Sequence, residues 1–171
     1  MENKNLLKTK SKNENFSVSP SAAFINYSDM VFRLAFLRTK NKADAEDILS
    51  DVFLRLVKNS HKIMGEEHLK AWLIRTTLNR TNSLLKNPYR TRKTDTPLEF
   101  FQEDTRQNEI LPIVLELSPK LKAVIYMYYY EGYSVNEIGK ICSISVGTVK
   151  SRLSRARELL KSKLEGEFFD V

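Results

Sequence analysis

Little in this chain of 171 residues invites covalent or metal chemistry. Its single cysteine, Cys142, excludes an internal disulfide. The two histidines, His61 and His68, have no cysteine near them, so no zinc site is expected. Five glycines are spread along the chain and form no phosphate-cradling loop. No nucleophile is accompanied by a base, and the acidic residues follow no metal-ligand pattern. The expectation is therefore a protein that is not an enzyme and carries no cofactor and no metal. No apolar run approaches membrane-spanning length, and the N-terminus lacks the apolar core of a signal peptide. No membrane insertion and a cytoplasmic location are expected.

What the chain does have is positive charge. The net charge is +7, and 29% of the residues are charged. The excess is concentrated in two blocks, residues 21–87 and 118–164, with a mildly acidic stretch between them. Two basic blocks and a connecting segment suggest two contacts with nucleic acid and a linker. A hydrophobic content of 42% is enough for packed cores.

The pattern along the chain is helical, and no strand is expected. Residues 1–20, rich in Lys, Asn and Ser, read as a disordered arm. Residues 21–87 read as a helical domain. Tyr27, Met30, Val31 and Leu34 keep helical spacing, as do Ala45, Ile48, Leu49, Val52, Phe53, Leu56 and Val57. Leu69, Trp72, Leu73 and Thr76 open a further helix that Asn87-Pro88 closes. Trp72 lies on the inward stripe and reads as a core residue. Residues 88–110 hold no sustained period and read as a flexible linker. Residues 111–165 form a second helical domain, and 166–171 a tail. The fold class is all-α, with two small helical domains.

The second domain carries the most specific pattern. Ser134 and Glu137 have capping-box spacing, so a helix is predicted from Val135, with Ile138, Ile141 and Cys142 inward. Ser143 and Ile144 make a short turn, and Ser145 caps a second helix. On that helix Val149, Leu153, Ala156 and Leu160 share the inward face. Thr148, Ser151 and Arg155 lie opposite and are assigned to base reading. Lys150, Arg152 and Arg157 sit on the flanks and suit phosphates, as do the free N–H groups beginning at Ser145. Two short helices joined by a tight turn, the second basic, meet the requirements of a DNA-binding helix-turn-helix.

The segment S-V-G-T-V-K-S-R-L-S-R-A-R, Ser145 to Arg157, resembles the recognition helix of bacterial sigma factors. The fit is best to the extracytoplasmic-function (ECF) branch of the sigma-70 family. Leu117 to Ser134 resembles the lead-in of the same four-helix domain, with Pro119 after a Ser118 cap and Gly132 as the stop. The family usually has glycine at the turn where this chain has Ser143. A-D-A-E-D-I-L-S-D-V-F-L-R-L-V, Ala43 to Val57, resembles the helix that docks on the clamp helices of the polymerase largest subunit. There Asp44, Asp47 and Asp51 form a carboxylate stripe that would complement a cationic partner. His68 to Lys86 resembles the minus-ten helix, with Arg75, Asn79, Arg80 and Asn82 as polar contacts and Ser83 in place of a common acidic residue. In the preceding loop His61, Lys62 and Met64 are candidates to capture a flipped base.

The resemblance implies a bacterial cytoplasmic sigma factor. Its partners would be core RNA polymerase (clamp helices and flap region), promoter DNA and, as often in the family, an anti-sigma factor. The N-terminal domain would read the minus-ten element and the helix-turn-helix the minus-thirty-five element. Two other readings stand beside it. A LuxR-type regulator also carries T-V-K but leaves Ala43–Val57 unexplained and would bind paired half-sites as a dimer. An adaptor with the same fold would support no transcription.

Overall fold

The structure is a computed structural model that describes residues 17–87 and 112–169, with side chains as far as Leu164. The linker 88–110, and all but the end of the expected N-terminal arm, lie outside these residues. Every regular element among the described residues is helical.

Helix α1 spans Pro20–Thr39. Ser19 caps it, accepting the Ala22 N–H at 3.4 Å, and Pro20 occupies the first turn, where its missing N–H costs nothing. Lys40 ends it in the left-handed region at φ 55°, its N–H returning to the Phe36 carbonyl at 2.8 Å. Asn41 then caps α2, Lys42–Asn59, through a 2.9 Å bond from the Asp44 N–H. A 3₁₀ turn, Ser60–Lys62, leads to α3, Glu66–Leu85.

The C-terminal part begins with a helical run at residues 112–116. Helix α4 follows, Pro119–Ile125, with Pro119 in its first turn. It widens into a π-helical turn, Tyr126–Tyr130, which ends with Gly132 at φ +70°. Helix α5 is Val135–Cys142, and α6 is Val146–Phe169. Helix α6 thus runs on through residues set apart as a tail in the sequence reading.

The apolar stripes meet in one continuous core. Val31, Leu34, Ile48, Val52, Leu56, Leu73 and Ile74 fill the N-terminal part. Val124, Met127, Ile138, Val149, Leu153 and Ala156 fill the C-terminal part. Each large side chain buried this way contributes about 1.5–3 kcal/mol. Trp72 is partly buried against this core, as its stripe predicts.

The end of α1 joins the halves. Six consecutive residues, Leu34 to Thr39, are buried. Consecutive burial means that the helix is covered on all sides. It packs against α2 and α3 on one side and α4 on the other. The spacing of Tyr27, Met30, Val31 and Leu34 predicts a one-faced helix; the docked C-terminal domain covers the other face.

Candidate nucleic-acid interface

The helix-turn-helix is built from local signals. Ser134 and Glu137 form the full capping box: Glu137 accepts the Ser134 N–H at 2.8 Å, and Ser134 Oγ accepts the Glu137 N–H at 3.3 Å. The bonds from Ser134 hold the Glu137 carboxyl below the usual carboxylate range. Helix α5 ends at Ser143, which adopts φ 55° and ψ 47°, the left-handed cap for which glycine is the usual residue. Ser145 Oγ then accepts the Thr148 N–H at 3.1 Å and opens α6.

On α6, Val149, Leu153 and Ala156 are buried, and Leu160 is partly buried. The opposite face divides into three settings. Ser151 and Arg155 are exposed and line a groove of about 500 Å³ between α6 and the start of α4. Lys150 and Arg157 are exposed on the flanks. Thr148 is half-buried, and its hydroxyl shares a 2.8 Å hydrogen bond with Ser145 Oγ, so it takes part in the cap. Arg152 is half-buried and turns toward the N-terminal domain.

The α3 residues separate as well. Arg75 donates to the backbone carbonyls of Ile141 at 3.1 Å and Lys140 at 2.7 Å, at the end of α5. Asn79 and Asn82 share that side and line the space between the domains. Asn82 Oδ1 accepts from Arg38 at 2.5 Å. These three expected minus-ten residues therefore face the C-terminal domain in this arrangement. Arg80 instead forms an ion pair with Asp51 of α2. In the loop before α3, His61, Lys62 and Met64 are all exposed, Met64 at 76%. Lys62 Nζ donates to Asn59 Oδ1 at 2.9 Å.

The carboxylate stripe of α2 is corrected at one position. Asp44 is 2% exposed and sits in the first turn of the helix, where the dipole favours its charge. It is not on the outer surface with Asp47 and Asp51. Asp47 is exposed, and Asp51 is held by Arg55 at 3.0 Å as well as by Arg80. The periodic stripe also placed Val57 inward, whereas Val57 is 57% exposed and Leu54 beside it 63%. Two exposed apolar residues thus neighbour the acidic ones on α2. Val57 keeps the helical spacing but lies at the edge of the stripe, beside Leu56, which stays buried in the same turn.

Sequence reasoning missed Arg38. Its guanidinium is buried and holds three elements together. It donates to Thr81 Oγ1 at 2.6 Å, to the Pro119 carbonyl at 2.6 Å and to Asn82 at 2.5 Å. All three acceptors are neutral, and burial pushes its pKa down to about 10. The available signal was register: Arg38 stands four residues after Leu34, on the inward stripe. Among the described residues no cluster of His, Cys, Asp or Glu is placed to hold a metal ion, and no helix is long and apolar enough to cross a membrane.

Both helical parts match known proteins. The family profile "Sigma-70 region 2" matches residues 24–90, and "Sigma-70, region 4" matches residues 107–160. The chain is 30% identical over 142 residues to the RNA polymerase sigma factor HrpL of Pseudomonas syringae, covering 75% of this chain and 77% of that one. It is 28% identical to the ECF RNA polymerase sigma factor SigW of Bacillus subtilis, covering 81% and 84%. It is also 28% identical to the ECF RNA polymerase sigma factor SigE of Mycolicibacterium smegmatis, but spans only 58% of that protein. Among solved structures, the fold is similar to the sigma factor RpoE bound to the anti-sigma factor NepR from Bartonella quintana. That match has a TM-score of 0.69 at 22% identity and covers 85% of this chain and 96% of the other.

Proposed function

The chain belongs to the sigma-70 family, in its extracytoplasmic-function branch, and so serves promoter-specific transcription initiation with core RNA polymerase; we propose the division of labour among its residues that follows. Ser151 and Arg155 read base edges of the minus-thirty-five element. Lys150 and Arg157 hold phosphates, together with the N–H groups opened by the Ser145 cap. Thr148 acts chiefly through that cap. The exposed loop of His61, Lys62 and Met64 receives an extruded base of the minus-ten element. Asp47, Asp51, Leu54 and Val57 of α2 form the polymerase-facing surface, with apolar contact at its centre and charge directing the approach. Residues 21–87 and 111–165 act as the two functional domains, with 88–110 linking them inside the polymerase.

Because Arg75, Asn79 and Asn82 face the C-terminal domain, the two domains must part before this side of α3 meets the promoter. The chain supplies recognition while the polymerase performs the chemistry, in the bacterial cytoplasm. An anti-sigma factor is the proposed regulator; the solved relative's complex holds one.

The observation that carries this reading is the exposed Ser151–Arg155 face on a doubly capped helix-turn-helix. The test is transcription with purified core polymerase on promoter variants at several salt concentrations. Arg155→Ala is expected to cost about 1–3 kcal/mol and to relax preference at one position of the minus-thirty-five element. Lys150→Ala is expected to weaken all variants alike and make the salt dependence shallower. Equal loss on every variant for Arg155→Ala would remove it from base reading.

A further inference from the structure

Between the two domains lies a cavity of about 280 Å³, and the charged side chains that line it among the described residues are all cationic. Arg38 comes from α1, Arg75 from α3, Lys120 from α4 and Arg152 from α6, and Asn79 and Asn82 add amide groups. Among the described residues no aspartate or glutamate lines it. The buried guanidinium of Arg38 meets only neutral acceptors, and the exposed Arg75 guanidinium donates to backbone carbonyls. Arg152 and Lys120 make no side-chain hydrogen bond or ion pair with another described residue. Four cations gathered around one partly enclosed space repel one another, and the buried Arg38 also bears a desolvation cost. One anion placed among them would relieve both costs.

We propose that this cavity binds a compact multivalent oxyanion of pyrophosphate size, which holds the two domains together. The planar forks of Arg38, Arg75 and Arg152 suit phosphate oxygens, and the Lys120 ammonium supplies a mobile point charge. Asn79 and Asn82 provide further N–H donors. The volume lies just under the range of about 300–1,000 Å³ typical of small-molecule pockets. It therefore favours an inorganic diphosphate over a whole nucleotide. Because the cations come from both domains, the anion stabilises the closed arrangement by its preference for that state. It would thereby keep Arg75, Asn79 and Asn82 turned inward. That last consequence rests on the promoter-reading role proposed above; the binding itself does not.

The test uses the full chain and inorganic pyrophosphate, with sodium chloride at matched ionic strength as the reference. Cys142 lines the cavity and is the chain's sole cysteine, so its modification by N-ethylmaleimide reports occupancy at one place. Pyrophosphate is expected to slow that modification severalfold, in a saturable manner, and to bind with one-to-one stoichiometry by calorimetry. The double variant Lys120→Gln/Arg152→Gln alters side chains that are not fully buried. With helical content unchanged, it should weaken binding at least tenfold. Lys161→Gln, on the same helix but outside the cavity, should change it less than twofold. A protection no greater than that of matched chloride overturns the proposal. So does a double variant that binds as the unaltered chain does. Protection that persists while promoter-directed transcription is unaffected would retain the site and discard only its link to promoter reading.

Discussion

Lys122 is 1% exposed, and its ammonium has a single hydrogen bond, to the Leu115 carbonyl at 3.4 Å. Burial, then the nearby Lys40 and Arg38 charges, push its pKa down to about 7. A base with a depressed folded pKa holds fewer protons in the folded state than in the unfolded state between the two values. Stability therefore rises with pH through that window, and the penalty is fully present below about pH 7. Lys122→Met should raise the unfolding free energy at pH 6.5 by about 1–4 kcal/mol, because a buried charge gives way to a well-packed apolar chain. It should also flatten the rise in stability between about pH 7 and 9. Urea melts across that pH range measure both effects. A variant with the same pH slope as the parent would show that another group is responsible. Lys122 was not legible as buried, because a cation in a basic sequence reads by default as a solvated one; for Arg38 only its register on the inward stripe hinted at it. Burial of a cation is decided by what docks on it, and here that is the other domain.

At the scale of the element, the helix-turn-helix was readable because its determinants are local. Ser134, Glu137 and Ser145 act on N–H groups within three residues of themselves, and the structure holds each of these bonds. The stripe of Val149, Leu153 and Ala156 was readable for the same reason. The break between α1 and α2 was not, since Lys40 takes the left-handed conformation without a glycine to announce it. The exposure of Val57 beside the buried Leu56, and the withdrawal of Asp44 into the first turn, depend on packing that periodicity does not describe. The turn of the motif makes a two-sided prediction. A Cβ on Gly139 would stand 3.0 Å from the Ile144 carbonyl oxygen, which belongs to the backbone of the turn. Gly139→Ala gains about 1 kcal/mol in helix propensity. Overpacking costs about 1–3 kcal/mol, so a net loss is expected. Ser143→Gly should act in the opposite direction by up to about 1 kcal/mol, since a side chain at φ 55° is strained and glycine is not. Thermal unfolding of both variants decides the matter. A stabilised Gly139→Ala chain would mean that the turn yields freely.

At the scale of the molecule, the sequence showed two domains and their order but not that they meet. The Arg75 guanidinium finds its acceptors at Ile141 and Lys140, more than sixty residues along the chain. Tyr126 of the C-terminal part reaches the Met30 carbonyl at 3.5 Å, and Lys70 pairs with Glu131 at 2.8 Å. Such pairings depend on the docked geometry, and no local pattern encodes them. They also set the electrostatics of closure. Across the seam, Arg152 destabilises the charge on Arg38, and Lys40 and Arg38 destabilise that on Lys122. Lys70–Glu131 opposes this as one partly exposed pair, worth about 0.2–1 kcal/mol. If repulsion among the several cations exceeds that attraction, added salt screens it. The screening length falls from about 10 Å at 0.1 M to about 3 Å at 1 M. The free chain should therefore become more compact as sodium chloride rises from 50 to 500 mM. Small-angle X-ray scattering would record this as a falling radius of gyration. In the Lys120→Gln/Arg152→Gln chain, where two of the four cavity cations are gone, compactness should be greater at low salt and respond less to its addition. Expansion of the unaltered chain with salt would instead identify Lys70–Glu131 as the governing contact and reverse this assignment of forces.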